Sequence, residues 1–233
     1  YQQSYTYFTW RNSKWELEQY LTEVAHESAN FFRPNFWVTT PDILTEYLQF
    51  GGRNAHKIRA ALAAMATPNW GMYAGYELIE SVARQGAEEH VNSEKYEYKL
   101  RDWAGAEAEG KSIAPYVTRL NQIRHENEAL HYLRNLEIHA SDDSAVICFS
   151  KHVAAEHSAS GKANTVIVVV NTDPHSVRES TVHLNLAKLG LSAGSTFTVT
   201  DLITGSSFVW GEHNYVRLDA FVEPAHVLRV EHS

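Results

Sequence analysis

The chain has 233 residues, and 44% of them are apolar, which is close to the content of globular proteins and sufficient for a packed core. Its formal net charge of −8 at pH 7, from 20 basic and 28 acidic residues, argues against a protein that binds nucleic-acid phosphates. The longest apolar run, at residues 60–66, is too short for a membrane-spanning helix, which needs ~20 residues. The single cysteine, Cys148, cannot form an internal disulfide, so a reducing compartment is expected.

The first part of the chain contains three successive strand–turn–helix patterns. Runs rich in aromatic and β-branched residues predict strands, and each is followed by turn residues and by apolar residues at helical spacing. Ser13 and Glu16 have the spacing of a capping box, which starts the first helix. Three such units in succession predict parallel strands joined by helices. The predicted strands are residues 5–10, 35–38 and 68–73, and the predicted helices are residues 13–33, residues 43–50 with glycines closing them at 51 and 52, and residues 55–66.

The second part of the chain consists of short β-rich runs separated by turn residues. Before it, residues 84–111 are polar and weakly periodic and are predicted to form a long loop, followed by a helix at residues 112–127. Many short strands with turns between them indicate an antiparallel sandwich. The change of pattern near residue 130 predicts two domains, residues 1–130 and 131–233. The strands of the second domain are predicted at residues 145–149, 165–170, 196–200, 215–218 and 226–230.

Asp42 is a candidate catalytic residue because it follows a predicted strand and precedes a predicted helix. If the three units belong to a barrel, this position lies at the carboxyl ends of the strands, where active-site residues collect. The alternative is a structural role, in which the carboxylate of Asp42 caps the helix by accepting backbone N–H bonds. Position in the sequence allows both roles.

Lys95 and Tyr96 lie in the long polar loop and are candidate sugar-binding residues. An ammonium and a phenol supply the hydrogen-bond donors that sugar hydroxyls require. The alternative is an ordinary solvated loop with weak ion pairs. Among the aromatic residues, Tyr73 and Tyr76 follow the third predicted strand and are expected to be exposed, whereas the strand tryptophans Trp10, Trp37 and Trp70 are expected in the core.

The remaining reactive residue types form no recognisable motif. The 13 histidines include no His-Glu-x-x-His pattern, and no paired Cys-x-x-Cys pattern occurs, so the sequence predicts no metal site. A phosphate-binding loop, a dinucleotide glycine pattern and a Gly-x-Ser-x-Gly elbow are also missing from the sequence. Cys148 lies in an apolar strand and is expected to be a buried, inert thiol.

Several motifs in the first 130 residues occur in an order typical of one enzyme family. They are Tyr7-Phe8-Thr9-Trp10-Arg11-Asn12, residues 33–44, residues 46–53, Gly75-Tyr76-Glu77-Leu78, Ser93-Glu94-Lys95-Tyr96, Arg101-Asp102-Trp103 and Arg124-His125-Glu126-Asn127. Together they closely resemble the α-1,4-glucan:maltose-1-phosphate maltosyltransferases of the α-amylase superfamily (glycoside hydrolase family 13). Residues 131–233 resemble the C-terminal domain of that family. Pro41 stands where most amylase relatives have a histidine, which favours the transferase branch.

The resemblance implies an α/β fold followed by an all-β domain. Residues 1–130 would be the last three βα units of a (β/α)8 TIM barrel, and residues 131–233 an antiparallel β-sandwich. The implied activity is that of a bacterial, cytoplasmic enzyme that transfers maltosyl units from maltose 1-phosphate to the non-reducing ends of α-1,4-glucans with retention. Such an enzyme is expected to use no cofactor and no metal, to have neither a nucleic-acid nor a membrane partner, and to form a homodimer when intact.

The resemblance also assigns roles to three residues of this chain. Asp42 would stabilise the transition state, and Lys95 and Tyr96 would line the pocket for the donor's second glucose. The family's nucleophile and acid/base come from the fourth and fifth barrel strands, whereas this chain, which begins at Tyr1 without an initiator methionine, is expected to start at the sixth. The isolated chain is therefore expected to be inactive, and the N-terminal part of the same enzyme is an expected partner.

Two other functions stay open. A non-catalytic glucan-binding module would use the exposed aromatic and loop residues without any chemistry. A glycoside hydrolase of the α-amylase type is disfavoured by the Thr-Pro-Asp motif at residues 40–42 and the Ser-Glu-Lys-Tyr motif at residues 93–96.

Overall fold

A computed structural model describes residues 3–91 and 98–232 of the chain. Within these ranges the backbone forms a small parallel sheet, a larger antiparallel sheet and four α-helices. The longest helix, α2 (Glu46–Ala66), packs against strands of both sheets.

The parallel sheet consists of β1 (Ser4–Tyr5), β2 (Pro34–Trp37) and β3 (Trp70–Gly71), in the order β1-β2-β3. The parallel direction predicted for the three strands is confirmed. The first strand is shorter than predicted, because the chain turns into a 3₁₀-helix at Tyr7–Trp10. Thr6 starts that helix, since its side-chain oxygen accepts a hydrogen bond from the Phe8 N–H at 3.4 Å.

The helices follow the local signals of the sequence with three exceptions. α1 (Lys14–Thr22) begins with the predicted capping box and continues as a wider π-helical turn, Glu23–Glu27, so the helical segment ends six residues before the predicted end at Arg33. α2 contains the two predicted helices, which meet at Gly52, where a φ of +55° favours glycine, but it begins at Glu46 rather than at residue 43. α3 (Trp103–Ala108) corrects the prediction of one long loop, whereas α4 (Ala114–Glu126) was expected.

The antiparallel sheet has eight strands in the order β10-β7-β4-β5-β6-β11-β8-β9, and the predicted antiparallel pairing is confirmed. Its central strands are continuous apolar runs, as expected for strands that are buried on both faces. The strands are β4 (Leu136–Ser141), β5 (Val146–Val153), β6 (Asn164–Asn171), β7 (Val177–His183), β8 (Phe197–Asp201), β9 (Ser207–Trp210), β10 (His213–Asp219) and β11 (Ala225–Val230).

The antiparallel sheet curls so that its two ends share one core. Residues 136–139 of β4 pair with β5, whereas Ala140 and Ser141 pair with β7. Trp210 of β9 and Val216 of β10 come from opposite ends of the sheet and lie in the same buried cluster. The change of partner within β4 therefore lets two parts of one ladder face each other across a core.

A second hydrophobic core joins the two parts of the chain. It contains Ile58 and Leu62 of α2, Leu120 of α4, and Phe149 and Val168 of the antiparallel sheet, all at most 1% exposed. The predicted domain division at residue 130 stays a prediction. The shared core means that the helices and the large sheet stabilise each other.

Two cations, the half-buried Arg124 and the fully buried Lys151, bind the carbonyl groups at the end of α2. Arg124 donates hydrogen bonds to the carbonyls of Thr67 at 2.8 Å and Pro68 at 2.6 Å, and the Lys151 ammonium donates to the Ala66 carbonyl at 3.2 Å. These carbonyls lack donors within the helix, and positive charge is favourable at this end of its dipole. Burial, followed by the charge of Arg124, lowers the pKa of Lys151 to about 7.

We predict that the Lys151→Met substitution removes part of the pH dependence of stability. The ordinary pKa of lysine is about 10.4. Between pH 7 and this value, the unfolded chain binds the proton of the Lys151 ammonium group more strongly than the folded chain does. The free energy of unfolding therefore rises with pH, by about 2 kcal/mol from this group between pH 7 and pH 9. Urea unfolding of both proteins at the two pH values measures the difference.

The matched control is Lys162→Met, because Lys162 is exposed between β5 and β6. This variant should keep the rise in stability seen in the wild type. An equal rise in the wild type and in Lys151→Met would contradict the prediction.

Candidate functional site

The carboxyl ends of β2 and β3 lie side by side. The Val38 N–H donates a hydrogen bond to the Gly71 carbonyl at 3.0 Å, and the Tyr73 N–H donates to the Thr39 hydroxyl at 3.4 Å. Thr39 is 1% exposed, so this contact is internal. Ligands of parallel sheets usually bind beyond the carboxyl ends of the strands. The loops that follow β2 and β3 therefore form the candidate site.

Asp42 lies in a tight turn of the loop after β2. Backbone hydrogen bonds at 3.3 Å and 3.2 Å join Thr40 and Ile43, and the Asp42 N–H donates to the Thr40 hydroxyl at 3.3 Å. The Asp42 residue is exposed, and Thr45 occupies the cap position of α2. The interpretation of Asp42 as a helix cap is therefore wrong, and its carboxylate projects from a turn with a fixed backbone.

Glu88 holds this turn from a distant part of the sequence. Its backbone carbonyl accepts a hydrogen bond from the Leu44 N–H at 2.7 Å, and its carboxylate accepts one from the Glu46 N–H at 2.9 Å. Thr45 makes no side-chain cap hydrogen bond, so Glu88 supplies the acceptor that the first turn of α2 lacks. Sequence reasoning missed this residue because capping motifs are sought next to the helix.

Glu80 is the centre of an ion-pair cluster beyond β3. Its two carboxylate oxygens accept hydrogen bonds from the Arg101 guanidinium at 2.8 Å and 3.2 Å, and the Lys99 ammonium lies 2.9 Å away. Burial on its own raises the pKa of Glu80, but the bonds from Arg101 and Lys99 outweigh it and hold the pKa below the ordinary value. Through Lys99 and Arg101, the cluster connects the segment that begins at residue 98 to the loop after β3.

The backbone around Glu80 has two unusual conformations. Gly75 has a φ of +97°, and a Cβ atom there would overlap Glu80 Oε2 and lie 2.9 Å from Arg101 Nε. Ile79 is the one non-glycine residue of the described chain with a positive φ, +59°, a conformation that β-branched residues rarely adopt. Backbone strain of this kind is concentrated at functional sites, which supports a role for this loop in the candidate site.

The two tyrosines that follow β3, both expected to be exposed, differ in how deeply they are buried. Tyr73 is half-buried, and its ring centre lies 5.3 Å from the ring of His90 and 5.8 Å from the Arg101 guanidinium carbon. Tyr76 is 2% exposed and its hydroxyl donates to the His56 carbonyl, so the prediction is wrong for Tyr76. A further correction is that Trp10, Trp37 and Trp70 are half-buried rather than core residues.

Lys95 and Tyr96, the predicted sugar-binding residues, lie outside the described residues. The described chain before them ends in a hairpin, in which the Val91 N–H donates to the Val82 carbonyl at 3.1 Å. Beyond them, Lys99 reaches Glu80. Their prediction as sugar-binding residues stays a prediction.

Three other features concern metal binding, membrane spanning and the cysteine within residues 3–91 and 98–232. No three His, Cys, Asp or Glu side chains there are grouped so that they could hold a metal ion. The helices of the same ranges are too short or too polar to cross a membrane. Cys148 is completely buried, as predicted, and burial raises the pKa of its thiol.

Comparison with known proteins connects the chain to one family. Residues 138–230 match a family model described as "GLGE, C-terminal". The α-1,4-glucan:maltose-1-phosphate maltosyltransferase 1 of Streptomyces coelicolor is 52% identical over 231 residues, which are 99% of this chain and 33% of that protein. The maltosyltransferase of Corynebacterium glutamicum is 50% identical over 228 residues, 97% of this chain and 33% of that protein. The chain is a homologue of the C-terminal third of these maltosyltransferases.

The maltosyltransferase homologue also resembles α-amylases in fold. A maltogenic α-amylase from Thermotoga neapolitana superposes with a TM-score of 0.66 at 12% identity, covering 100% of this chain and 51% of that one. At this identity the likeness concerns the fold alone. The chain spans about a third of the length of the curated maltosyltransferases that it matches.

We predict that Gly75→Ala destabilises the maltosyltransferase homologue far more than Gly86→Ala does. Both glycines have positive φ angles, +97° and +72°, but only the new methyl group at residue 75 would meet Glu80 and Arg101, whereas Gly86 has nothing within 4 Å. We expect a loss of about 1 kcal/mol for Gly86→Ala and about 2–4 kcal/mol for Gly75→Ala. Urea unfolding measures both, and equal losses would show that the Glu80 cluster is not rigid.

Proposed function

We propose that the maltosyltransferase homologue is the C-terminal part of a retaining enzyme that transfers maltosyl units from maltose 1-phosphate to the non-reducing ends of α-1,4-glucans. The observation that carries this proposal is the position of Asp42. An exposed carboxylate lies beyond the carboxyl end of a parallel strand, in a chain that is 52% identical to a maltosyltransferase. The names of the relatives support the choice of donor and acceptor.

The proposal includes a barrel fold for the first part of the chain. Among the described residues, β1 and β3 each pair with one strand and leave their other edge unpaired. We infer that they are strands six and eight of a (β/α)8 barrel, whose other strands come from sequence outside these 233 residues and cover those edges. Residues 1–130 would complete the barrel, and residues 131–233 would form the sandwich domain.

Asp42 would act on the transition state. Retaining glycosyl transfer uses a nucleophile and an acid/base carboxyl about 5–5.5 Å apart and passes through an oxocarbenium-like state. In this proposal both groups come from outside the chain, and Asp42 places a third negative charge where positive charge develops on the donor sugar. Because the turn around Asp42 is already hydrogen-bonded, the carboxylate needs little reorganisation during the reaction.

The donor's second glucose would contact Lys95 and Tyr96, since an ammonium and a phenol donate hydrogen bonds to sugar hydroxyls. A cytoplasmic homodimer as the intact form belongs to the same proposal and rests on the family resemblance alone.

We predict that Asp42→Asn lowers kcat by about 10²–10³-fold in the complete natural protein that carries this sequence, because one preorganised electrostatic contact is lost. Folding should be unchanged, since Asp42 is exposed. Phosphate release from maltose 1-phosphate measures turnover, and circular dichroism measures folding. The control is Glu107→Gln, which changes an exposed carboxylate on α3. A kcat within twofold of the wild type for Asp42→Asn would refute the role.

We also predict that the purified 233-residue chain does not transfer maltosyl units, because a chain without the nucleophile cannot form the glycosyl-enzyme. The assay mixes the chain with maltose 1-phosphate and maltohexaose and follows phosphate release and chain lengthening. Intact mass spectrometry establishes that no longer polypeptide is present. Transfer under these conditions would contradict the prediction, and shortening of maltohexaose without phosphate release would favour a hydrolase.

A further inference from the structure

A cleft lies beside the turn that carries Asp42. It has a volume of ≈ 960 Å³ and is lined by the first turns of α2, including Glu46, Gln49 and Phe50, and by residues 81–88. Glu46 follows Asp42 by four positions in the sequence. The cleft is therefore adjacent to the candidate site but does not include Asp42 itself.

Hydrogen bonds hold both walls of the cleft. One wall is helix α2. The other is the 81–91 hairpin, in which the Arg84 N–H donates to the Glu89 carbonyl at 2.8 Å and the Val91 N–H donates to the Val82 carbonyl at 3.1 Å. Glu88 joins the two walls through the bonds that it accepts at the start of α2. The cleft is thus preformed, as small-molecule sites usually are.

Acidic groups predominate along the cleft, since two of its three charged side chains are the carboxylates of Glu46 and Glu88. The Arg84 guanidinium lies 2.9 Å from the Glu89 carboxylate, and the Glu88 carboxylate accepts the Glu46 N–H. Glu46 itself lies in the first turn of α2, where the helix dipole favours a negative charge. An acidic lining disfavours an anionic ligand, whereas carboxylates accept hydrogen bonds from hydroxyl groups. A neutral ligand that carries hydroxyl groups therefore fits the cleft.

Two large apolar side chains are exposed at the cleft. Phe50 is 73% exposed and Val82 is 72% exposed, although both residue types usually avoid water. An exposed aromatic ring offers a flat apolar face, and the amides of Gln49 and Gln85 beside it offer hydrogen-bond donors and acceptors. A glucosyl unit has the complementary surface, since its ring has an apolar face and a rim of hydroxyl groups.

We propose that this cleft binds glucosyl units of the α-1,4-glucan acceptor that are remote from the reacting end, with Phe50 as the stacking platform. This inference rests on the proposed function, which supplies a neutral, polymeric substrate next to Asp42. The cleft holds the body of the glucan, so that its end stays close to the site between transfers. Short acceptors do not reach it, and long acceptors gain affinity from it.

The test compares Phe50→Ala with Phe31→Ala in the complete natural protein. Phe31 is a matched control because it is 81% exposed and precedes β2, at the opposite end of the strand from Asp42. Affinity electrophoresis in gels that contain glycogen measures the dissociation constant for a long glucan. We expect Phe50→Ala to weaken binding by roughly tenfold, the scale of one principal contact, and Phe31→Ala to stay within twofold of the wild type.

Different results test the role of the cleft and the proposed function. Glycogen binding by Phe50→Ala within twofold of the wild type, or an equal loss in Phe31→Ala, would overturn the cleft assignment. Transfer from maltose 1-phosphate by the wild-type protein is measured in the same preparations, and its absence would refute the proposed function while leaving the binding comparison valid. Thermal unfolding of both variants within a few degrees of the wild type excludes misfolding, and Val82→Ser provides a second variant of the same surface.

Discussion

The burial of helix α2 between the two sheets determines the positions of most other elements. Residues 60–66, the longest apolar run of the sequence, are all at most 1% exposed. The parallel sheet has three short strands, which bury too little surface to be stable by themselves. Packing of α2 against the antiparallel sheet supplies the missing burial, and the beginning of the same helix follows the Asp42 turn.

A buried arginine of α2 fixes the loop after β1 by hydrogen bonds to its backbone. Arg59 is 1% exposed, its guanidinium donates to the carbonyls of Phe8, at 2.5 Å, and Arg11, and its charged carbon lies 3.8 Å from the Phe8 ring centre. Burial lowers the pKa of Arg59 to about 10. A buried charge is tolerated only when its donors are satisfied, so these two carbonyls are fixed relative to the helix. One helix thereby positions the loops after both β1 and β2.

Local signals in the sequence predicted the main helices and five of the eight described strands of the antiparallel sheet, but not β4, β7 and β9. Contacts between distant residues also escaped prediction. The capping box at Ser13 and the break at Gly52 depend on a few neighbouring residues, and both occur in the structure. The sequence allows a capping role for Asp42 because it precedes a helical pattern, but the side-chain acceptor at the start of α2 is Glu88. Burial of Tyr76 is tolerated because its hydroxyl donates a hydrogen bond to the His56 carbonyl on α2. Such partners become neighbours only through the tertiary fold.

Glu88 also links the proposed acceptor cleft to the Asp42 turn. Its backbone carbonyl and its carboxylate bind consecutive parts of the segment that leads from Asp42 into α2, and the same residue lines the cleft. A displacement of the 81–91 hairpin would strain both hydrogen bonds together. The position of the segment between Asp42 and α2 and the width of the cleft therefore depend on the same two contacts. In the proposed enzyme, a glucan that holds the hairpin against α2 would also hold the turn in the geometry that the transition state requires.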